Sequence, residues 1–126
     1  MALLVLVHEG LTIKRIPLDK AELRIGRRID ADIFIDDMLA SQKHAKVVCI
    51  ENKDAPGGMD YVIEDLESTN HTYVNGEPVD RKQLVHSDVI RIGKHTFKFI
   101  DEAAGPGDKT AKLQKSWIPG VYYTRD

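Results

Sequence analysis

Three short polar stretches concentrate the side chains able to do chemistry: Ile25-Gly26-Arg27, Ser41-Gln42-Lys43-His44, and residues 65–76, which read Asp-Leu-Glu-Ser-Thr-Asn-His-Thr-Tyr-Val-Asn-Gly. Arg27 offers a planar, permanently charged guanidinium that can engage two oxygens at once. Ser41 and Thr69 add hydroxyls, Asn70 an amide that donates and accepts, and Lys43 a second positive charge. Fixed charge ringed by neutral donors suits a tetrahedral phosphate ester, which brings about −1.5 to −2 charges and three acceptor oxygens. Taken singly, each stretch is ordinary. A Gly-Arg at a strand end is usually a turn with a solvated charge, a histidine opening a strand is usually a brace, and Ser-Thr-Asn is usually a turn. Arg28 reads as a solvated face rather than a second phosphate ligand, and Gly93-Lys94-His95 as a plain hairpin turn.

Catalytic chemistries find less support. Ser41 and His44 have no third, orienting carboxylate at a recognisable spacing, and no Gly-x-Ser-x-Gly elbow is present. The five histidines show no His-x-x-x-His pair, so neither a metal site nor a cofactor is expected. Residues 105–110 look superficially like a phosphate-binding loop, but Asp108 stands where a glycine must precede the lysine. The expectation is a binding protein, not an enzyme.

The elements that must position these residues are short and extended. Runs of β-branched and aromatic residues at 2–7, 11–16, 22–26, 33–35, 44–50, 61–65, 72–74, 89–92 and 95–100 are separated by turn residues. Phe97 and Phe99 flank Lys98 in the alternation of a half-buried strand, and Asn75-Gly76 is a strong tight-turn signal. The pattern predicts an all-β fold, a two-sheet β-sandwich of about ten to eleven short strands with binding loops at one end. Residues 1–101 are expected to form it. From residue 102 the pattern dissolves into a Gly/Pro hinge, so 102–126 reads as a C-terminal tail. That tail gathers Trp117, Ile118, Val121, Tyr122 and Tyr123, a cluster that suits packing on the sandwich, docking to a partner, or self-association or self-binding through residues 110–126, with a disordered end as the remaining alternative. The chain has 126 residues, 42% hydrophobic and 30% charged, and a formal net charge of −2. That balance argues against a nucleic-acid or membrane surface. The lone Cys49 suits a reducing, cytoplasmic setting.

The three motifs, in this order and on a β background, resemble the forkhead-associated (FHA) domain, a phosphothreonine-binding β-sandwich, over about residues 3–100. The resemblance implies that Arg27, Ser41 and Thr69 contact phosphate, that Asn70 holds the ligand's backbone, and that Gln42 and Lys43 border the peptide. It implies supporting roles for Gly26, for His44 as a brace under the Ser41 loop, and for Asn75 and Gly76 as a turn shaping the same loop end. Leu39, beside Met38, falls where the family reads the third residue after the phosphothreonine. Two positions depart from the usual pattern: Gln42 replaces an Arg or Asn, and His71 stands where glycine is common, which asks a non-glycine residue to take a positive φ. The implied function is an adaptor or regulator that binds phosphothreonine proteins, a Ser/Thr kinase or its substrate among them. A second function stays open: a phosphorylation-independent scaffold docking through its loops or aromatic tail.

Overall fold

The computed structural model describes residues 2–104. Eleven strands run β1 (Ala2–His8), β2 (Leu11–Pro17), β3 (Glu22–Gly26), β4 (Ile33–Phe34), β5 (Ala45–Glu51), β6 (Met59–Asp65), β7 (Thr72–Val74), β8 (Glu77–Val79), β9 (Arg81–Gln83), β10 (Val89–Ile92) and β11 (His95–Asp101). They form a six-stranded sheet ordered β2-β1-β11-β10-β7-β8 and a five-stranded sheet ordered β4-β3-β5-β6-β9. The alternation expected of a half-buried strand is realised in β11, where Phe97 and Phe99 are buried and Lys98 is exposed. Leu4, Ile25, Val47, Ile63 and Ile90 join those rings in one buried cluster between the sheets.

Two strands have no counterpart in the hydrophobic pattern. β8 reads Glu-Pro-Val and β9 Arg-Lys-Gln; each is an edge strand that supplies backbone pairing with almost no buried side chain. The Asn75-Gly76 turn appears as expected, with φ of +53° and +86°. Where a hinge was expected, Glu102–Ala104 forms a 3₁₀ turn, and the Asp101 carboxylate accepts the Ala103 N–H at 3.0 Å. The aromatic cluster at residues 117–123 and the proposed self-binding segment 110–126 lie outside the described residues.

The loops that carry the motifs gather at one end of the sandwich. β3 ends at Gly26, the 35–44 connection links β4 to β5, and the 66–71 connection links β6 to β7. The β10–β11 turn joins them there, since the Lys94 N–H is held by Asp37 at 2.7 Å.

Candidate functional site

Backbone contacts weld the end of β3 to the 41–44 segment. Arg27 N–H donates to the Ser41 carbonyl at 3.0 Å, His44 N–H to the Ile25 carbonyl at 3.0 Å, and Ile35 N–H to the Gly26 carbonyl at 2.8 Å. This approach leaves no room for a side chain at Gly26, where a Cβ would stand 2.1 Å from the Gln42 carbonyl oxygen. The glycine is therefore required by proximity, and Arg27 emerges from the weld at a fixed angle.

His44 is the pin beneath the loops. It is fully buried, and both ring nitrogens are engaged: Ser41 N–H donates to Nδ1 at 3.0 Å, and Nε2 lies 2.9 Å from the His71 carbonyl. That pattern assigns the neutral Nε2–H tautomer. One imidazole thus fixes both the 41 loop and the 66–71 loop. To offer that carbonyl, His71 adopts a φ of +65°, the left-handed conformation its replacement of glycine demanded.

With the loops pinned, hydrogen bonds tie the chemistry-bearing residues together, Thr69 through its backbone. The Ser41 hydroxyl oxygen accepts Thr69 N–H at 3.1 Å, leaving its own proton to donate elsewhere. Asn70 Nδ2 donates to the Leu39 carbonyl at 2.9 Å, so its amide oxygen stays available. Arg27 Nε donates to the Ala40 carbonyl at 3.1 Å, and no hydrogen bond engages its terminal nitrogens among the described residues. Arg27, Ser41, Thr69, Asn70, Leu39, His44 and Gly26 therefore belong to one bonded network. Arg28, by contrast, is neutralised by Asp30 through bonds of 2.9 and 3.0 Å.

Two carboxylates hold this network, and neither stood out in the sequence. Asp65 accepts Ser68 N–H, Ser68 O–H and Thr72 O–H. Burial pushes its carboxyl up, but the hydrogen bonds from Ser68 and Thr72 outweigh burial and hold it below the usual carboxylate range. Asp37 accepts the backbone N–H of Leu39 and of Lys94, bonds that likewise hold its carboxyl low, and His95 Nδ1 stands 3.4 Å from it. The Gly93-Lys94 turn is thus more than a hairpin: it is the anchor of the Leu39 loop.

Four residues lie apart from the network. Gln42 and Lys43 are exposed and border a groove of about 330 Å³ on the outer face of β3 and β5. Asn75, expected to shape the binding-loop end, sits with Gly76 at the opposite end of β7 from His71. There its side chain bonds Asp88 Oδ1 and Val89 N–H, both at 2.9 Å. Antiparallel pairing of β7 with β10 sends that turn away from the site. Among the described residues, no group of three His, Cys, Asp or Glu side chains could hold a metal ion.

Comparison with known proteins meets the same architecture. The family profile described as FHA domain matches residues 23–93. The glycogen accumulation regulator GarA of Mycobacterium tuberculosis is 40% identical over 86 residues, covering 68% of this chain and 49% of GarA. This chain spans about half the length of the GarA relatives it matches. A structure solved for phosphothreonine-dependent FHA domain interactions superposes with a TM-score of 0.64 at 29% identity, covering 80% of this chain and 96% of that one. M. tuberculosis EmbR in complex with a low-affinity phosphopeptide gives a TM-score of 0.66 at 36% identity, covering 84% of this chain and 26% of EmbR. The weld at Gly26, the pin at His44 and the matched span from 23 to 93 describe one unit, and the chain belongs to the FHA domain family.

Proposed function

We propose that this chain is a phosphothreonine-dependent protein-binding module, an adaptor or regulator downstream of a Ser/Thr protein kinase rather than an enzyme. The observation that carries this assignment is the orientation of Ser41. Its hydroxyl oxygen is committed to Thr69 N–H, so its proton is free to donate beside an Arg27 whose Nε is already spent on Ala40. Arg27, Ser41 and Thr69 take the phosphate oxygens, Asn70 takes a backbone group of the ligand, and Leu39 meets the third residue after the phosphothreonine. Gln42 and Lys43 flank the peptide.

Residues 1–101 form the binding domain and 102–126 an appended segment. The partner is a phosphothreonine protein of the cytoplasm, a kinase or a kinase substrate. Among the described residues no helix is long and apolar enough to cross a membrane. Support comes from the relatives: GarA is a glycogen accumulation regulator, and EmbR forms a complex with a phosphopeptide.

Calorimetry with a threonine peptide in phosphorylated and plain forms tests the assignment. Each charge-assisted hydrogen bond contributes about 1.5–3 kcal/mol, so the plain peptide should fall below detection and Arg27→Ala should abolish binding of the phosphorylated form. Equal affinity for the two forms, or full binding by Arg27→Ala, would overturn it in favour of phosphorylation-independent docking.

A further inference from the structure

The groove that Gln42 and Lys43 border has a charge that the rest of the molecule lacks. The protein carries a net −2, yet Arg24, Arg28, Lys43 and Lys46 all line this groove against only Glu22 and Asp30. The outer row of the sheet is also unusual. In the β3–β5 register Arg24 stands directly opposite Lys46, and like charges across an antiparallel pair destabilise a sheet. Glu22 is shared between them, 3.5 Å from Arg24 Nε and 3.3 Å from Lys46 Nζ, and Glu64, opposite Lys46 on β6, is shared in turn between Lys46 at 3.8 Å and Arg81 at 3.0 Å. Asp30 is consumed by Arg28, and Lys43 has no ion-pair partner among the described residues. Along this row three cations, Arg24, Lys46 and Arg81, thus share two carboxylates, Glu22 and Glu64, and Lys43 adds its own charge, so positive charge remains in excess.

The groove also has a defined relation to the phosphothreonine site. Leu39 lies toward the six-stranded sheet, since a Cβ on Gly93 would stand 3.4 Å from the Leu39 Cβ. The groove opens instead on the outer face of the five-stranded sheet, reached through Gln42 and Lys43. A ligand whose later residues pass over Leu39 can bring its earlier residues to this side. Arg24 precedes Arg27 by three positions, roughly 10 Å of strand at about 3.3 Å per residue. An extended peptide covers that distance in a similar number of residues.

We propose that this groove is a second specificity site, receiving Asp or Glu side chains about two to five positions before the phosphothreonine, with Arg24 and Lys46 as its cationic floor. The inference rests on the phosphopeptide function proposed above. Rim charges of this kind act chiefly on encounter rate and selectivity and weaken as salt screens them.

The test uses phosphothreonine peptides with Glu or Ala at the four positions from two to five before the phosphothreonine. Binding is measured by fluorescence anisotropy at low and raised salt on wild type, Arg24→Gln, Lys46→Gln and the double variant. Wild type should prefer the Glu peptide by roughly three- to thirtyfold, as expected of a few exposed charge contacts. That preference should shrink with salt and vanish in the double variant, while affinity for the Ala peptide stays unchanged. Equal binding of Glu and Ala peptides by wild type would overturn the inference and leave the phosphothreonine function standing, whereas failure of both peptides to bind would overturn the two together. A Glu preference that survives intact in a double variant with wild-type melting would place the acidic contact elsewhere and refute the groove.

Discussion

Replacing His44 by phenylalanine preserves a flat ring in the same space and removes both of its polar contacts. Ser41 N–H and the His71 carbonyl, held at 3.0 and 2.9 Å, lose their partners together. Each typical hydrogen bond is worth about 0.5–1.5 kcal/mol net, and a buried group left wholly unpaired costs about 1–3 kcal/mol. Ser41 is half-buried and His71 exposed, so both groups lie near the surface and the lower range governs. The pair should cost about 1–3 kcal/mol of folding stability, a shift in melting temperature of roughly 5–20 °C for a domain of this size. Binding should suffer separately, because Ser41 loses the anchor that aims its hydroxyl. One charge-assisted bond of about 1.5–3 kcal/mol corresponds to roughly a 10–150-fold weaker phosphopeptide complex. Calorimetry well below the melting transition, with Ser41→Ala in parallel, separates the two effects: Ser41→Ala should match the affinity loss with little change in melting. A phenylalanine variant that melts with wild type and binds the phosphopeptide as tightly would refute the pin.

Gly26→Ala places a Cβ 2.1 Å from the Gln42 carbonyl oxygen; moving backbone to accommodate it should cost about 1–3 kcal/mol or more, read by urea denaturation, together with loss of phosphopeptide affinity. Asp65 has a folded pKa depressed below its unfolded value, so its contribution is present at neutral pH, above the unfolded pKa near 4, and is lost as pH falls through the lowered folded value. Wild type should therefore lose stability below about pH 4, and Asp65→Asn should flatten that dependence in denaturation curves collected across the acid range. Leu39 is 42% exposed and its neighbour Met38 83%, an apolar shelf that gains from burying Ile, Leu or Val and cannot pair a carboxylate. An oriented phosphopeptide library should accordingly select aliphatic residues over Asp at the third position after the phosphothreonine.

The sandwich was legible wherever a strand buries one face, because burial writes a period of two into the chain, as Phe97-Lys98-Phe99 does. β8 and β9 bury almost nothing and left no such trace. The converging donors were legible by type, since a guanidinium, hydroxyls and an amide at loop positions have few other uses in combination. The supports were not. Asp65 and Asp37 resemble any acidic residue beside a strand; what distinguishes them is the origin of the N–H and O–H groups they receive. For Asp37 one of those groups is Lys94 N–H, 57 residues away. The direction of the Asn75-Gly76 turn was equally hidden, because its conformation is local while its end of the sandwich is set by pairing with β10.

The contacts that assemble the donors join residues far apart in the chain: Thr69 to Ser41 across 28 positions, Asn70 to Leu39 across 31, and His44 to His71 across 27. β1 is completed only by β11, with Ala2 opposite Asp101. No fragment emerging from the ribosome with Arg27 and Ser41 alone carries a competent receptor, and closure of so non-local a topology belongs to the slow end of domain folding. A phosphorylated partner therefore meets the full set of donors only once residues 66–71 have folded against 39–44. From then on its binding is linked to unfolding of the whole domain, so that saturating peptide at a hundred times its Kd should hold the entire sandwich folded by about 2.7 kcal/mol.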